Sequence, residues 1–178
     1  FCAHFSKINN MSQVNIVNVV MPQSVAQPFN SPIKFEIFFE ALQPLKHSIT
    51  WRIVYIGQAS NPVFDQVLEE AEMDCVQPGQ MTFEFCGNAP DPSRLPPNDI
   101  VGVTAILLTC SYKDTEEFLR IGYYVNVEYD NPEMNEQPPE HPIIDRLVRH
   151  ILVDKPRVTK FQIDWDEQSN VMDQHQQQ

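Results

Sequence analysis

The alternation of apolar and polar positions is clearest between residues 117 and 129. There Leu119, Ile121, Tyr123, Val125 and Val127 interleave with Arg120, Gly122, Tyr124 and Asn126, the period of a strand with one face in a core. The stretch just before it, Asp99 to Tyr112, is apolar on both rows, with Val101, Val103, Ala105 and Leu107 on one and Ile106 and Leu108 on the other. These segments predict two long neighbouring strands joined by a hairpin loop at Lys113 to Glu116. One row can fill a core; the second needs a cover of its own.

Shorter runs rich in β-branched and aromatic residues recur along the rest of the chain, separated by Pro, Asn, Asp and Gly clusters. Strands are predicted at Val14 to Met21, Ile33 to Glu40, Ile49 to Ile56, Phe64 to Met73 and Gln80 to Phe85, with Pro22 to Pro32 as a turn region. Ile143, Ile144, Leu147, Val148, Ile151 and Leu152 follow a helical period between Pro142 and Pro156, so one short helix is expected there. Arg157 to Trp165 returns to alternation and predicts a closing strand. The fold class that results is an all-β, immunoglobulin-like sandwich with one short helix near the C-terminal end. It spans residues 14–165. Residues 1–13 are expected to form an N-terminal tail, in which Met11 is a candidate start that would make Phe1 to Asn10 of upstream or added origin, and the polar, Gln-rich 166–178 is expected to be a disordered tail.

Charge narrows the classes of partner. Asp and Glu number 24 against 12 Lys and Arg, a formal charge of -12, which disfavours direct binding to a phosphate backbone and suits a basic partner. No stretch reaches the roughly 18–20 apolar residues of a membrane span, and Phe1 to Asn10 lacks the apolar centre of an export signal. The protein is expected to be soluble, with no membrane partner. Cys2, Cys75, Cys86 and Cys110 lack the spacing of a disulfide framework or a zinc site, so reduced thiols and no metal or other cofactor are expected. Trp51 is not bracketed by cysteines in the antibody manner. The five histidines sit in no catalytic motif, no nucleotide-binding glycine pattern occurs, and the adjacent acids Glu69-Glu70 and Glu116-Glu117 read as solvated pairs. No enzyme is expected.

Arg120 and Tyr124 share one row beside the apolar row from Val101 to Leu107. Both residue types are enriched at binding hot spots. From periodicity alone two readings stand: an interface, or a tyrosine that caps the core with an arginine paired to a nearby acid.

A wider set of motifs bears on that choice. Asp65-Gln-Val-Leu68, Val101-Gly-Val-Thr104, Thr109-Cys110, Phe118-Leu-Arg-Ile-Gly-Tyr-Tyr-Val-Asn126 and Pro156-Arg-Val-Thr-Lys-Phe161 occur in this order. Together they resemble the conserved core of the anti-silencing function family of histone chaperones, from about Val14 to Trp165. The resemblance implies an elongated immunoglobulin-like sandwich that binds the dimer of core histones three and four, resides in the nucleus and is monomeric when free. It implies that the concave sheet face covers the histone-three helix used in tetramer formation, and that the tail of histone four adds a strand at a sheet edge. Carried over by position, the apolar centre falls on Val101, Val103, Ala105 and Leu107, the polar clamp on Asp65, Asp99, Arg120, Tyr123 and Tyr124, and the histone-four contacts on Arg157 and Thr159.

Two positions depart from the family pattern. Ala105 stands where the family usually has Val, which removes two methyl groups from the central contact. The acidic pair that grips basic motifs of downstream deposition chaperones falls on His47 and Ser48, beside an apolar groove of Phe39, Ala71, Met73 and Phe83. The resemblance therefore implies weakened binding of such chaperones. The alternative class is an immunoglobulin-like adhesion or scaffold module, for which neither an export signal nor an inter-sheet disulfide is visible.

Overall fold

The computed structural model describes residues 12–22 and 26–166. Of the tails expected at residues 1–13 and 166–178, residues 1–11 and 167–178 lie outside the described residues. Among the described residues the chain forms β1 (Val14–Val20), β2 (Ala26–Pro28), β3 (Ile33–Ala41), β4 (Ile49–Tyr55), β5 (Gln66–Met73), β6 (Gly79–Gly87), β7 (Gly102–Tyr112) and β8 (Glu116–Tyr129). A five-residue helix α1 (Pro132–Glu136), β9 (Leu147–Ile151) and β10 (Arg157–Lys160) follow. The ladders are antiparallel and build two facing sheets, β1-β3-β6 and β2-β9-β8-β7-β4-β5, with β10 added on β8. This is the immunoglobulin-like sandwich expected.

Strict alternation explains the smaller sheet. Ile33, Phe35, Ile37 and Phe39 of β3 are buried, while Lys34, Glu36 and Phe38 between them are partly exposed. Their partners across the core are Trp51 and Ile53 of β4, Ile106, Leu108 and Cys110 of β7, and Tyr123 and Val125 of β8. Aromatic contacts bridge the sheets, Phe39 to Trp51 at 5.7 Å and Phe35 to Tyr123 at 5.6 Å between ring centroids. Close packing of this kind supplies most of the stabilisation of a sandwich.

Three expectations need correction. Residues 143–152 are not a helix: a short 3₁₀ turn at Ile144–Arg146 leads into β9. The cause is Arg149, which occupies the buried row with Leu147 and Ile151 and is itself fully buried. A charged residue in the inward row hides the period of two and leaves an apparent helical one. Two of its guanidinium nitrogens find backbone partners, Nη1 donating to the carbonyl of Phe29 at 2.9 Å and Nη2 to those of Ser31 at 2.9 Å and Pro32 at 3.4 Å, while the buried Nε has none. Those carbonyls follow β2, the three-residue strand that pairs with β9 inside the expected turn region. Among the described residues the one α-helix is the short α1, opened by Asn131, whose side chain accepts from the Glu133 amide at 2.8 Å, and by Pro132 at its first position. Finally, the closing strand ends at Lys160, and residues 161–166 continue without a ladder.

Candidate functional site

The outer face of the larger sheet is organised in rows that cross the strands. Leu107 of β7 stands between Val54 of β4 and Gly122 of β8, and Gly122 in turn meets Arg157 of β10. One step along, Ala105 faces Tyr124, and beyond it Val103 faces Asn126. On the other side, Arg52, Thr109, Arg120 and Thr159 form a polar row across four strands. Val103 is 73% exposed, Tyr124 52% and Val67, opposite Val54, 57%. An apolar strip thus lies open between polar margins.

The structure brings most of the expected residues onto this face. Val101, Val103, Ala105, Asp99 and Tyr124 line one cavity of about 270 Å³, with Gln58 donating from Nε2 to the Asp99 carboxylate at 2.6 Å. Arg120 lies on the margin, its guanidinium donating from Nε and Nη2 to Glu117 at 2.7 and 3.1 Å and standing 5.6 Å from the Phe161 ring centroid. The hydrogen bonds to Glu117 hold its pKa above the ordinary value. Asp65 follows the turn at Pro62–Phe64. Its buried Oδ1 has no hydrogen-bond partner, and burial pushes the carboxyl above its usual range against the opposing effect of the Gly57 amide. The partly exposed Asp65 carboxyl, beside exposed Val63 and Val67, adds an acidic group to this margin.

Tyr123 does not join them. It lies on the inward row of β8, 3% exposed and packed on Phe35, so it supports the face from beneath. Phe39 of the second groove is likewise core, 1% exposed. Phe83 is partly buried and closes over Phe39 and Trp51 at 6.1 and 5.7 Å between ring centroids. Ala71 and Met73 are partly buried against the same cluster. His47 and Ser48 line a separate cavity of about 560 Å³ with Lys46, Glu72, Asp74 and Lys113, where Ser48 donates to Glu72 at 2.7 Å.

Several residues of the face escaped sequence reasoning. Val54 and Val67 extend the apolar strip, and Arg52 bridges Glu70 at 2.6 Å and the side chain of Asp114. Val54 alternates with buried Ile53 and Tyr55, which is a readable signal. The Arg52 bridge depends on the fold bringing β5 and the β7–β8 turn together, and no local pattern encodes that.

Among the described residues no cluster of His, Cys, Asp or Glu could hold a metal ion, and Cys75, Cys86 and Cys110 are free thiols. Cys2 lies outside them.

Comparison with known proteins gives this face its context. The family described as ASF1 like histone chaperone matches residues 11–166. The chain is 46% identical over 156 residues to the histone chaperone asf1 of Drosophila melanogaster, covering 88% of this chain and 71% of that one. It is 46% identical over 155 residues to the histone chaperone ASF1B of Arabidopsis thaliana, 87% and 70% of the two chains. With the histone chaperone ASF1B of Homo sapiens the identity is 45% over 156 residues, 88% and 76% of the two chains. Those relatives are chaperones and not enzymes, and the match takes in every strand of the sandwich; the chain belongs to the ASF1-like family of histone chaperones.

Proposed function

We propose that this chaperone binds the dimer of core histones three and four through the outer face of its larger sheet, blocks tetramer formation, and passes the histones to deposition factors in the nucleus. The observation that supports the reading best is the open row of Val103, Ala105 and Tyr124, with the acidic Asp99 lining the same cavity. A helix with an apolar stripe and basic flanks would satisfy both. Its apolar residues would be desolvated on Val103, Ala105 and Leu107, at about 25 cal/mol per Å² before the costs of association. Its cations would meet Asp65 and Asp99, and Tyr124 would serve as the aromatic anchor.

A second element of the proposal is strand addition by the tail of histone four at β10, whose residues Arg157 and Thr159 pair on one side only, with β8. The free protein is taken to be a monomer. The cavity at His47 and Ser48 would receive downstream deposition chaperones weakly, because the side chains there offer a mixed set of charges in place of two acids. Mixing the protein with the histone dimer and sizing the product tests the blocking role. A one-to-one complex with the dimer is expected, and a complex on an intact tetramer would contradict it.

A further inference from the structure

Past the last ladder residue of β10 the chain does not drift away. The Phe161 amide donates to the Phe118 carbonyl at 2.9 Å. Trp165 is then buried, 6% exposed, between Phe118 and Tyr112 with ring centroids 4.8 and 5.0 Å away. Asp166 turns the backbone with φ 53°, and its carboxylate receives Lys113 Nζ at 2.7 Å and the Tyr112 hydroxyl at 3.3 Å and lies 3.4 Å from His47 Nε2. These partners come from the end of β7, the β7–β8 turn and the loop before β4. Asp166, which composition assigns to the polar tail, is the third corner of a fastening.

β10 itself has little to hold it. It is four residues long, three of them exposed, and it pairs on one side only. Strands so short and so poorly packed open readily unless their ends are fixed. We infer that Trp165 and Asp166 are positioning residues that fasten the far end of β10, holding its open edge in line for an added strand. The fastening also fixes Phe161, against which the Arg120 guanidinium rests, so one anchor serves both the edge and the margin of the face. An edge ordered in advance spares the partner strand the entropy of ordering it. This inference rests on the reading that histone four adds a strand at β10.

The test compares wild type with Trp165→Ala and Asp166→Asn, the second leaving the buried ring in place in case the first fails to fold. Amide exchange of Val158 to Phe161 is measured in the free protein, and binding is measured to the histone dimer with and without the tail of histone four. Both variants should exchange faster over these residues. Trp165→Ala should lose about tenfold in affinity for the intact dimer and Asp166→Asn about threefold, with no loss for the tailless dimer. Equal losses for both dimers would mean a merely structural role and overturn the inference, as would unchanged exchange whatever the binding. Failure of wild type to bind either dimer would instead overturn the functional reading, and the exchange rates would still show whether the anchor fixes the strand.

Discussion

Ala105 and Tyr124 stand directly opposite each other across the β7–β8 ladder, and both border the same open cavity. The small side chain leaves the space before the tyrosine ring unfilled. Ala105→Val adds two methyl groups at a position already outside the core, so it costs no internal packing. At roughly 0.8 kcal/mol per buried carbon, the variant should bind the histone dimer tighter by about 1–2 kcal/mol, about five- to thirtyfold. Calorimetric titration of both proteins checks this, and equal affinities would mean that the partner does not reach residue 105.

At the other site, His47 and Ser48 share a cavity with Glu72 and Asp74 but also with Lys46 and Lys113. Placing acids at both positions should tighten binding of a Lys- and Arg-rich deposition-chaperone peptide severalfold at low salt and less at high salt, since exposed charges are screened. Anisotropy titrations at two ionic strengths measure it. An unchanged affinity would remove the argument that these two residues weaken the groove.

Arg149 is the least replaceable polar residue among those described. Arg149→Met fills much of the volume but leaves the carbonyls of Phe29, Ser31 and Pro32 without their donor. An unsatisfied buried acceptor costs about 1–3 kcal/mol, and of the three bonds only that to Phe29 is fully buried, so a loss of about 1–3 kcal/mol in unfolding free energy is expected. Denaturant unfolding is the measurement, and a loss below about 1 kcal/mol would show that β2 and the turn after it find other partners.

The same arginine shows where the sequence is hard to read. Alternation was legible wherever inward residues are apolar, as in β3, β6 and β8, and that was enough for the fold class and for the row of Val103, Ala105 and Tyr124. It failed at β9, because the inward residue is charged and finds its hydrogen-bond partners in a loop 117 or more positions away. Tyr123 and Tyr124 illustrate the limit at the site: both belong to one motif, but strand geometry sends only the second outward. Asp65 was named from a motif, whereas its partial burial beside the Gly57 amide follows from the fold.

Burial raises the Tyr55 phenol to about 12 from an ordinary 10.0, and its hydroxyl has no hydrogen-bond partner in the core. The folded state therefore keeps this proton longer than the unfolded chain does. Its contribution to stability is fully present below pH 10 and is lost as pH rises from about 10 to about 12. Unfolding free energies across that range should fall with pH for wild type and fall less steeply for Tyr55→Phe. Parallel slopes would contradict the assignment.

Affinity for the dimer of histones three and four, compared among wild type, Tyr124→Glu and Ala105→Arg, tests the central claim most directly. Both substitutions lie on the outer row, so the fold should survive and circular dichroism should not change. The charge at 124 removes the aromatic anchor, and the bulk and positive charge at 105 block a basic helix. Wild type should bind tightly and each variant at least about a hundredfold more weakly, a loss near 3 kcal/mol, typical of a hot spot. Failure of wild type to bind, or variants that bind as well as it does, would contradict the account.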